Sequence, residues 1–348
     1  MSAVRIDQPS AADRPTDHEE LPERAADRDE LRRRLWRLPP GHPSSPVEAD
    51  GTPKPPEPGL GGREFTDANA TGEADWRPLT DAEYAEHVTK VRERLDKARA
   101  DGLATEQQHT TDPDHEQWAE DRTVMHDAII ADLYEAAHDV PCDRRAILAG
   151  GLPGAGKTTV LEQHAGIDRS QYLTVNPDKI KEEMAKCGMI PQVAGLTPME
   201  ASDLVHEESS HVAKRLARRA IREGKNVIWD ITMSSRESVE RRIGDLRAAG
   251  YSRVEGVFVD IPVEVGIRRS DARHREGHDS YRAGQGLGGR FVPAEVIGSQ
   301  ADPEWGSRNR RTFEQVKPQL DAWKLCDNSV DGRAPVLADS GGREEDQR

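Results

Sequence analysis

The sequence predicts an α/β fold in which a parallel sheet carries helices on both faces. From Arg145 onward, short apolar runs alternate with longer helical stretches, and the first of these runs leads into a glycine-rich turn. A change of composition near residue 75 indicates that the N-terminal segment is not part of this fold. We therefore expect a disordered tail at 1–75, a helical extension at 76–140 and the α/β domain at 141–340.

The tail is predicted from composition. Over the 348 residues, 34% are hydrophobic, 32% are charged and only 4% are aromatic, which is low for a chain that is folded throughout. Prolines crowd between Pro39 and Pro58, with glycines and acidic residues between them. Such a segment buries too little apolar surface to offset the entropy lost on ordering, so residues 1–75 are expected to be a solvated linker.

Charge and cysteine content exclude several classes of protein. The formal net charge of −15 argues against non-specific binding to nucleic acids or anionic membranes. The three cysteines are widely spaced and form no metal-binding pair. The first thirty residues lack an apolar stretch, and no apolar run is long enough to span a membrane. These features favour a reducing, cytoplasmic location.

Two apolar stripes with helical spacing precede the domain. The first begins after Thr80, a favourable N-cap, and ends near Gly102. The second runs from Trp118 to Ala136 and stops before Pro141. We expect both helices to pack on the domain without contributing chemistry.

The domain itself reads as repeated strand–helix units. The predicted strands are RAILAGG from Arg145 and the segments 172–176, 226–232 and 253–260. The predicted helices cover 157–166, 178–187, 198–223 and 235–249. Repeated units of this kind produce a parallel sheet, and ligands bind at the carboxyl ends of its strands.

The glycine-rich turn matches G-x-x-x-x-G-K-[ST], with a strand before it and a helix after it. This is a phosphate-binding loop, and the domain is accordingly predicted to be of the P-loop NTPase type. Its glycines let the backbone wrap closely around phosphates, Lys157 can reach the β- and γ-phosphates, and the Thr158 hydroxyl can ligate Mg²⁺. The predicted nucleotide-binding residues are Gly151, Leu152, Pro153, Gly154, Ala155, Gly156, Lys157, Thr158 and Thr159.

Two further strand ends carry candidate functional groups. Asp178 follows the second strand and is either a general base that accepts the proton of an acceptor hydroxyl or a residue that caps the next helix. Asp230 ends the strand 226–230 and is followed by Thr232. The aspartate can hold Mg²⁺ through water or bind the acceptor, or it is simply a turn residue.

The helices contribute a second set of candidates. His206, Glu207 and Glu208 are consecutive, so at most one or two of them face the crevice, and Ser210 stands where a zinc motif needs its second histidine. Further along, glycines separate a basic helix from Arg290, which indicates a lid whose arginines stabilise charge on a transferred phosphoryl group. An exposed basic helix beside a loose loop is the alternative. The basic residues of the helix are Arg268, Arg269, Arg273 and Arg275.

Taken together, these segments resemble the zeta toxin family of bacterial P-loop kinases. The segments that carry the resemblance are GLPGAGKTT at 151–159, NPDKIK at 176–181, HEESS at 206–210, NVIWDITM at 226–233, Arg273, RFVP from Arg290 and CDNS at 326–329. The resemblance covers about residues 145–338.

The resemblance implies a kinase that uses ATP and Mg²⁺. By carry-over, Lys157 and Thr158 bind the nucleotide and metal, Asp178 is the base, and Arg273 and Arg290 stabilise the phosphoryl group. Asp230 and Thr232 contact the acceptor or metal, and Glu207 is a further acceptor-binding candidate.

Several family members are toxins that phosphorylate UDP-N-acetylglucosamine, so the resemblance implies this sugar nucleotide as the expected acceptor and an antitoxin protein as a possible partner. A kinase for another hydroxyl, such as that of a nucleoside, an antibiotic or a dinucleotide, is the first alternative. An ATP-dependent switch without transfer chemistry is the second, and the presence of both a base and lid arginines argues against it. For a diphosphate-linked acceptor, Arg268, Arg269 and Lys181 are the predicted cationic contacts.

Overall fold

A computed structural model of the chain describes residues 77–112 and 114–342. The predicted tail, 1–75, lies outside the described residues. The strands in chain order are β1 Arg145–Gly150, β2 Leu173–Val175, β3 Val227–Asp230, β4 Arg253–Asp260, β5 Ala301–Asp302, β6 Gly306–Ser307, β7 Ala322–Asp327 and β8 Val336–Gly342. The α-helices are α1 Asp81–Ala100, α2 Thr105–His109, α3 Glu120–Glu135, α4 Lys157–Gln163, α5 Pro177–Lys186, α6 Pro198–Ala201, α7 His206–Glu223, α8 Arg236–Ala248, α9 Val263–Arg282, α10 Ala294–Gly298 and α11 Arg308–Val316.

The central sheet has six strands in the order β2-β3-β1-β4-β7-β8. The first five strands in this order are parallel, and β8 pairs antiparallel with β7. The predicted α/β fold with a mainly parallel sheet is therefore confirmed, and β8 adds an antiparallel edge. A separate hairpin joins β5 to β6.

Helices cover both faces of the sheet, as the alternation of β1 shows. Ala146 and Leu148 belong to one buried cluster, which includes side chains of α3, α5, α7, α8 and α11. Ile147 and Ala149 belong to another, which α4, α9 and α10 complete. Successive strand residues point to opposite faces, so a strand buried on both sides reads as the continuous apolar run seen in the sequence.

Helix α1 packs onto the outer side of the domain. Its Val91, Leu95 and Ala98 form a small apolar cluster with Leu204 and Phe291. Thr80 caps the helix through a capping box with Glu83, as its sequence indicates. Because Phe291 directly follows Arg290, α1 supports the segment that carries a candidate functional arginine.

One expectation about the helices needs correction. The single helix predicted at 198–223 is split into α6, a 3₁₀ turn at Ser202–Val205 and α7. The split has a local cause: Thr197 and Glu200 form a capping box that starts α6, and the Ser202 hydroxyl donates to the carbonyl of Met199 at 2.7 Å. The short helix α2 and the strands after β4 were not predicted. No helix of the described ranges is both long and apolar enough to cross a bilayer.

Candidate functional site

A cleft of about 970 Å³ opens at the carboxyl ends of β1, β2 and β3. Its position is the one expected for a parallel α/β sheet. Most of the residues proposed from the sequence line it. They are Pro153, Gly154, Ala155, Gly156, Lys157, Thr158, Asp178, Asp230, Thr232, Arg273 and Arg290. Gly151, Leu152, Thr159 and Glu207 lie outside this lining.

The phosphate-binding loop has the conformation that its glycines allow. Gly151, Gly154 and Gly156 have φ angles of 143°, 79° and 80°, which a side chain would disfavour. A Cβ at Gly151 would lie 2.5 Å from the carbonyl oxygen of Val259, and one at Gly154 would lie 2.7 Å from that of Gly266. The loop is therefore held between β4 and α9, with its turn directed into the cleft.

Lys157 lies at the base of this loop. Its Nζ donates to the carbonyl oxygen of Gly151 at 3.3 Å and is 3.5 Å from Oδ1 of Asp230. Its side chain and that of Asp230 are each 15% exposed, so the pair is partly shielded from water. A nucleotide phosphate entering the loop would be a second anionic partner for this ammonium group.

The Asp230 carboxylate is held from two sides. Its other oxygen accepts a hydrogen bond from Nδ2 of Asn176 at 2.9 Å, while Lys157 approaches the first. The Thr158 hydroxyl lines the same cleft. A carboxylate and a hydroxyl beside a phosphate loop are the oxygen donors that Mg²⁺ accepts, so these residues fit a magnesium ion.

Asp178, the second residue of α5, is not the cap of that helix. The N-cap of α5 is Asn176, whose Oδ1 accepts the backbone N–H of Asp178 at 2.8 Å. The Asp178 carboxylate is therefore available for other contacts, and it forms an ion pair with Arg290. Both residues of this pair line the same cleft as the phosphate-binding loop.

Arg273 completes a charged group around the cleft. Surrounding protein atoms and the charge of Arg290 lower the pKa of its guanidinium from the ordinary value, while Asp178 and Asp230 oppose that shift. Arg273 therefore lies close enough to Arg290, Asp178 and Asp230 to interact with their charges. Arg268 and Arg269, which were expected to meet an acceptor diphosphate, instead both pair with Asp331 and do not line the cleft.

Lys181 supplies a further cation on the acceptor side. It is only 5% exposed, yet it lines the cleft one helical turn after Asp178. Burial lowers the pKa of its ammonium group to about 8, although the negative charges of Asp178 and Glu207 partly oppose the shift. A lysine with this pKa is protonated over most of the physiological range and loses its charge in mild alkali.

The two adjacent glutamates of α7 have different surroundings. Glu208 is fully buried and accepts hydrogen bonds from Arg122 and His126 of α3 at 2.8 and 2.7 Å, so it holds α3 to the domain and does not face the cleft. Glu207 is exposed and lies near Lys181 and His206. Of this pair, only Glu207 stays a candidate for acceptor binding.

Three side chains that shape the site were not predicted from the sequence. Asn176 both caps α5 and holds Asp230. Asn328 donates to the carbonyl oxygen of Ala155 in the phosphate-binding loop at 2.8 Å. Arg242 of α8 lines the cleft, with its guanidinium 4.8 Å from the centre of the Trp229 ring. The asparagine before Pro177 carried an N-cap signal, whereas the roles of Asn328 and Arg242 depend on contacts with distant segments.

We expect Arg273→Ala or Arg290→Ala to lower kcat by on the order of 10²–10³-fold, because a positive charge near a transferred phosphoryl group acts mainly in the transition state. ATP affinity should change less. Arg290→Lys should restore only part of the rate, since lysine lacks the planar fork of donors. Steady-state kinetics with Arg268→Ala as the matched control on the same helix test this; a change below about twofold in both alanine variants would remove these arginines from the mechanism.

Comparison with known proteins identifies the family. The model of the zeta toxin family matches residues 135–321, which is more than half of the chain. The chain therefore belongs to the zeta toxin family. No significant match was found among curated proteins.

The solved structures that match this chain share little sequence with it. One is the AvrRxo1-ORF1:ORF2 complex with ATP, which is 18% identical, with 77% of this chain and 74% of that chain covered and a TM-score of 0.43. Another belongs to the PezAT chromosomal toxin–antitoxin system of Streptococcus pneumoniae, which is 15% identical, with 64% and 82% covered and a TM-score of 0.46.

Proposed function

We propose that this zeta toxin family member is an ATP-dependent kinase that transfers the γ-phosphoryl group to a hydroxyl of a small acceptor. The observation that carries the proposal is that one cleft is lined both by the Asp178–Arg290 ion pair and by Lys157 with Asp230. A nucleotide-dependent switch needs the phosphate-binding loop but needs no further carboxylate to accept a proton from an acceptor hydroxyl. This arrangement therefore favours transfer over the switch.

Each charged group has a defined task in the proposed reaction. Lys157 and the backbone of the loop bind the β- and γ-phosphates of ATP. Asp178 accepts the proton of the acceptor hydroxyl as its oxygen attacks the γ-phosphorus. Arg273 and Arg290 stabilise the negative charge on the transferred phosphoryl oxygens. ADP leaves, and the acceptor keeps the phosphoryl group.

Thr158 and Asp230 would hold Mg²⁺ at this site. When bound, the ion neutralises charge on the phosphates of the nucleotide. Asn176 contributes indirectly, because its hydrogen bond orients the Asp230 carboxylate before any ligand enters.

We propose a sugar nucleotide, with UDP-N-acetylglucosamine as the expected example, as the acceptor. Lys181 supports an anionic acceptor, because it is a buried cation beside Asp178 and lines the cleft. Such a group can neutralise an acceptor phosphate, and the nearby Glu207 and His206 can bind polar groups of a sugar. Arg268 and Arg269 are not part of this proposal, since both pair with Asp331.

Substrate profiling tests the acceptor. The purified protein is offered ATP, Mg²⁺ and a panel of sugar nucleotides, nucleosides, antibiotics and dinucleotides, and products are identified by mass spectrometry. Highest kcat/KM with UDP-N-acetylglucosamine supports the sugar-nucleotide proposal. Preference of more than about tenfold for another acceptor overturns that proposal and leaves the kinase activity standing. ATP turnover that requires no acceptor and yields no phosphorylated product supports the switch.

Lys181→Met should raise the KM for an anionic acceptor by about 10- to 150-fold, because a hydrogen bond to a charged group contributes about 1.5–3 kcal/mol. In the wild type, this KM should also rise as the pH increases through about 8, where Lys181 loses its proton. The pH step should be absent from Lys181→Met. Lys186→Met, which changes an exposed lysine at the other end of α5, is the control. A wild-type pH step that persists in Lys181→Met would assign it to another group.

An inhibitory partner protein is also proposed for this chain. Its family membership supports the idea, and solved relatives of similar fold include the PezAT toxin–antitoxin system. Expression of the chain alone, and together with the product of a neighbouring gene, tests it. Growth arrest that co-expression relieves supports an antitoxin, whereas equal growth in both cases argues against one.

A further inference from the structure

Three histidines surround one carboxylate at the junction of α1, α6 and α9. Nε2 of His87 lies 2.6 Å from Oε1 of Glu200, and Nε2 of His274 and Nδ1 of His278 each lie 3.0 Å from the same oxygen. Glu200 has no exposed surface, and His274 is 1% exposed. The cluster lies outside the cleft lining and takes no part in the proposed transfer.

The contacts of Glu200 leave too few acceptor sites for three hydrogen bonds. A carboxylate oxygen has two lone pairs, whereas three imidazole nitrogens approach Oε1. The second oxygen, Oε2, is already used by the backbone N–H of Thr197 at 2.8 Å. A network of neutral histidines donating to Glu200 therefore does not account for the arrangement.

The hydrogen bonds around His274 also argue against a network of neutral histidines. The Tyr84 hydroxyl lies 2.8 Å from Oδ1 of Asp271 and 3.0 Å from its carbonyl oxygen, and both can only accept. Tyr84 thus donates its proton to Asp271 and accepts from Nδ1 of His274, 2.8 Å away. A neutral His274 then directs the bare lone pair of Nε2 at the Glu200 carboxylate. A metal cation between them would make that contact favourable, as would an additional proton on Nε2.

We propose that this cluster is a zinc site that joins the helical extension to the domain. Among the described residues, the ligand atoms of His87, Glu200 and His274 lie within 4.8 Å of one another, and Nδ1 of His278 lies 3.0 Å from the same Glu200 oxygen. Imidazole nitrogens and one carboxylate oxygen are donors that zinc accepts in closed, four-coordinate sites. A tetrahedral ion separates its donors by about 3.3 Å, so small outward movements of these side chains accommodate it.

The surroundings of the cluster match those of a structural metal site. The chain from His274 through Tyr84 to Asp271 orients one ligand in the way that outer-shell partners orient metal-bound histidines. His274 and His278 are four residues apart on α9 and so lie on one helical face. The ion would connect α1, α6 and α9, which lie far apart in the sequence.

The proposed zinc site lies next to the backbone of Arg273 and Arg290. Arg273 precedes His274 in α9. A Cβ at Gly289, next to Arg290, would lie 2.1 Å from the carbonyl oxygen of His274, which shows how closely this segment packs on the cluster. Zinc bound here would fix the backbone from which both arginines project.

The test is metal analysis of the full chain, expressed without a histidine tag and stripped with a chelator. After dialysis against Zn²⁺, the wild type should retain about one ion per chain, measured by inductively coupled plasma mass spectrometry. Co²⁺ in place of Zn²⁺ should give the visible absorption of a four-coordinate ion. The midpoint of thermal unfolding should rise on adding zinc. Folded protein that retains no zinc after this dialysis would overturn the proposal.

Variants locate the ion. His87→Ala and the double variant His87→Ala/His274→Ala should lose the bound zinc, whereas the exposed His138→Ala should keep it. Circular dichroism checks that each variant is folded, and if the double variant is not, the cobalt spectrum of the wild type decides. Unchanged zinc content in a folded double variant would mean that the ion binds elsewhere, and the proposal would be wrong. None of these measurements depends on kinase activity.

Discussion

Replacing Lys157 with alanine should abolish detectable phosphoryl transfer, a loss of at least about 10³-fold in turnover. Lys157 Nζ is the cation at the base of the phosphate-binding loop, 3.5 Å from Asp230, in a partly shielded site. Shielding strengthens its interaction with the phosphates, so no solvent cation substitutes for it well. Removing it also leaves the Asp230 carboxylate without its cationic partner.

Kinetics and binding separate these effects. Transfer is measured with the preferred acceptor at saturating ATP, and ATP affinity is measured by calorimetry. Lys97→Ala, which removes an exposed lysine of α1, should behave like the wild type. Phosphotransfer near the wild-type level in Lys157→Ala would mean that the glycine-rich loop does not bind the reacting nucleotide.

The phosphate-binding loop could be predicted because its determinants are contiguous. Gly151 to Thr158 provide the glycines, the lysine and the hydroxyl in one segment, and the strand and helix on either side are also local features. The buried strands β1 and β4 were found for the same reason, since burial on both faces leaves an uninterrupted apolar run.

The strands after β4 lacked such a signal. In β7 the first three residues are only partly buried, and every residue of β8 is exposed. A strand at the sheet edge gains its stability from pairing with its neighbour, and that pairing is not encoded in hydrophobic periodicity. The sheet centre was therefore predictable from the sequence, and its antiparallel edge was not.

Tertiary contacts also decided which charged residues meet in the site. Arg268, Arg269 and Arg273 are near neighbours in one basic helix, yet the first two turn to Asp331 while Arg273 lines the cleft. The cluster around Glu200 joins His87, Glu200 and His274, and no pattern of residue spacing in the sequence predicts it. Chain-distant groups of this kind become visible only when the fold is known.

Asp178→Asn should lower kcat by about 10²–10⁴-fold, the usual contribution of a general base, while ATP affinity stays nearly unchanged. An amide keeps the size of the side chain but does not take up a proton at neutral pH. The Asp178 carboxylate pairs with Arg290, whereas Lys157 of the phosphate-binding loop approaches Asp230, so the substitution should not disturb the bound nucleotide.

Stability measurements distinguish this role from a contribution to the helix. Asn176 already caps α5, so Asp178→Asn should cost less than about 1 kcal/mol of the free energy of unfolding, the scale of a helix-dipole interaction or a half-exposed ion pair. Asp96→Asn, at an exposed position of α1, is the matched control. A large loss of stability with an unchanged rate at saturating ATP and acceptor would make Asp178 a structural residue. Because Asn176 satisfies the backbone N–H of Asp178, the carboxylate is not needed to cap α5, and the loss should appear in kcat.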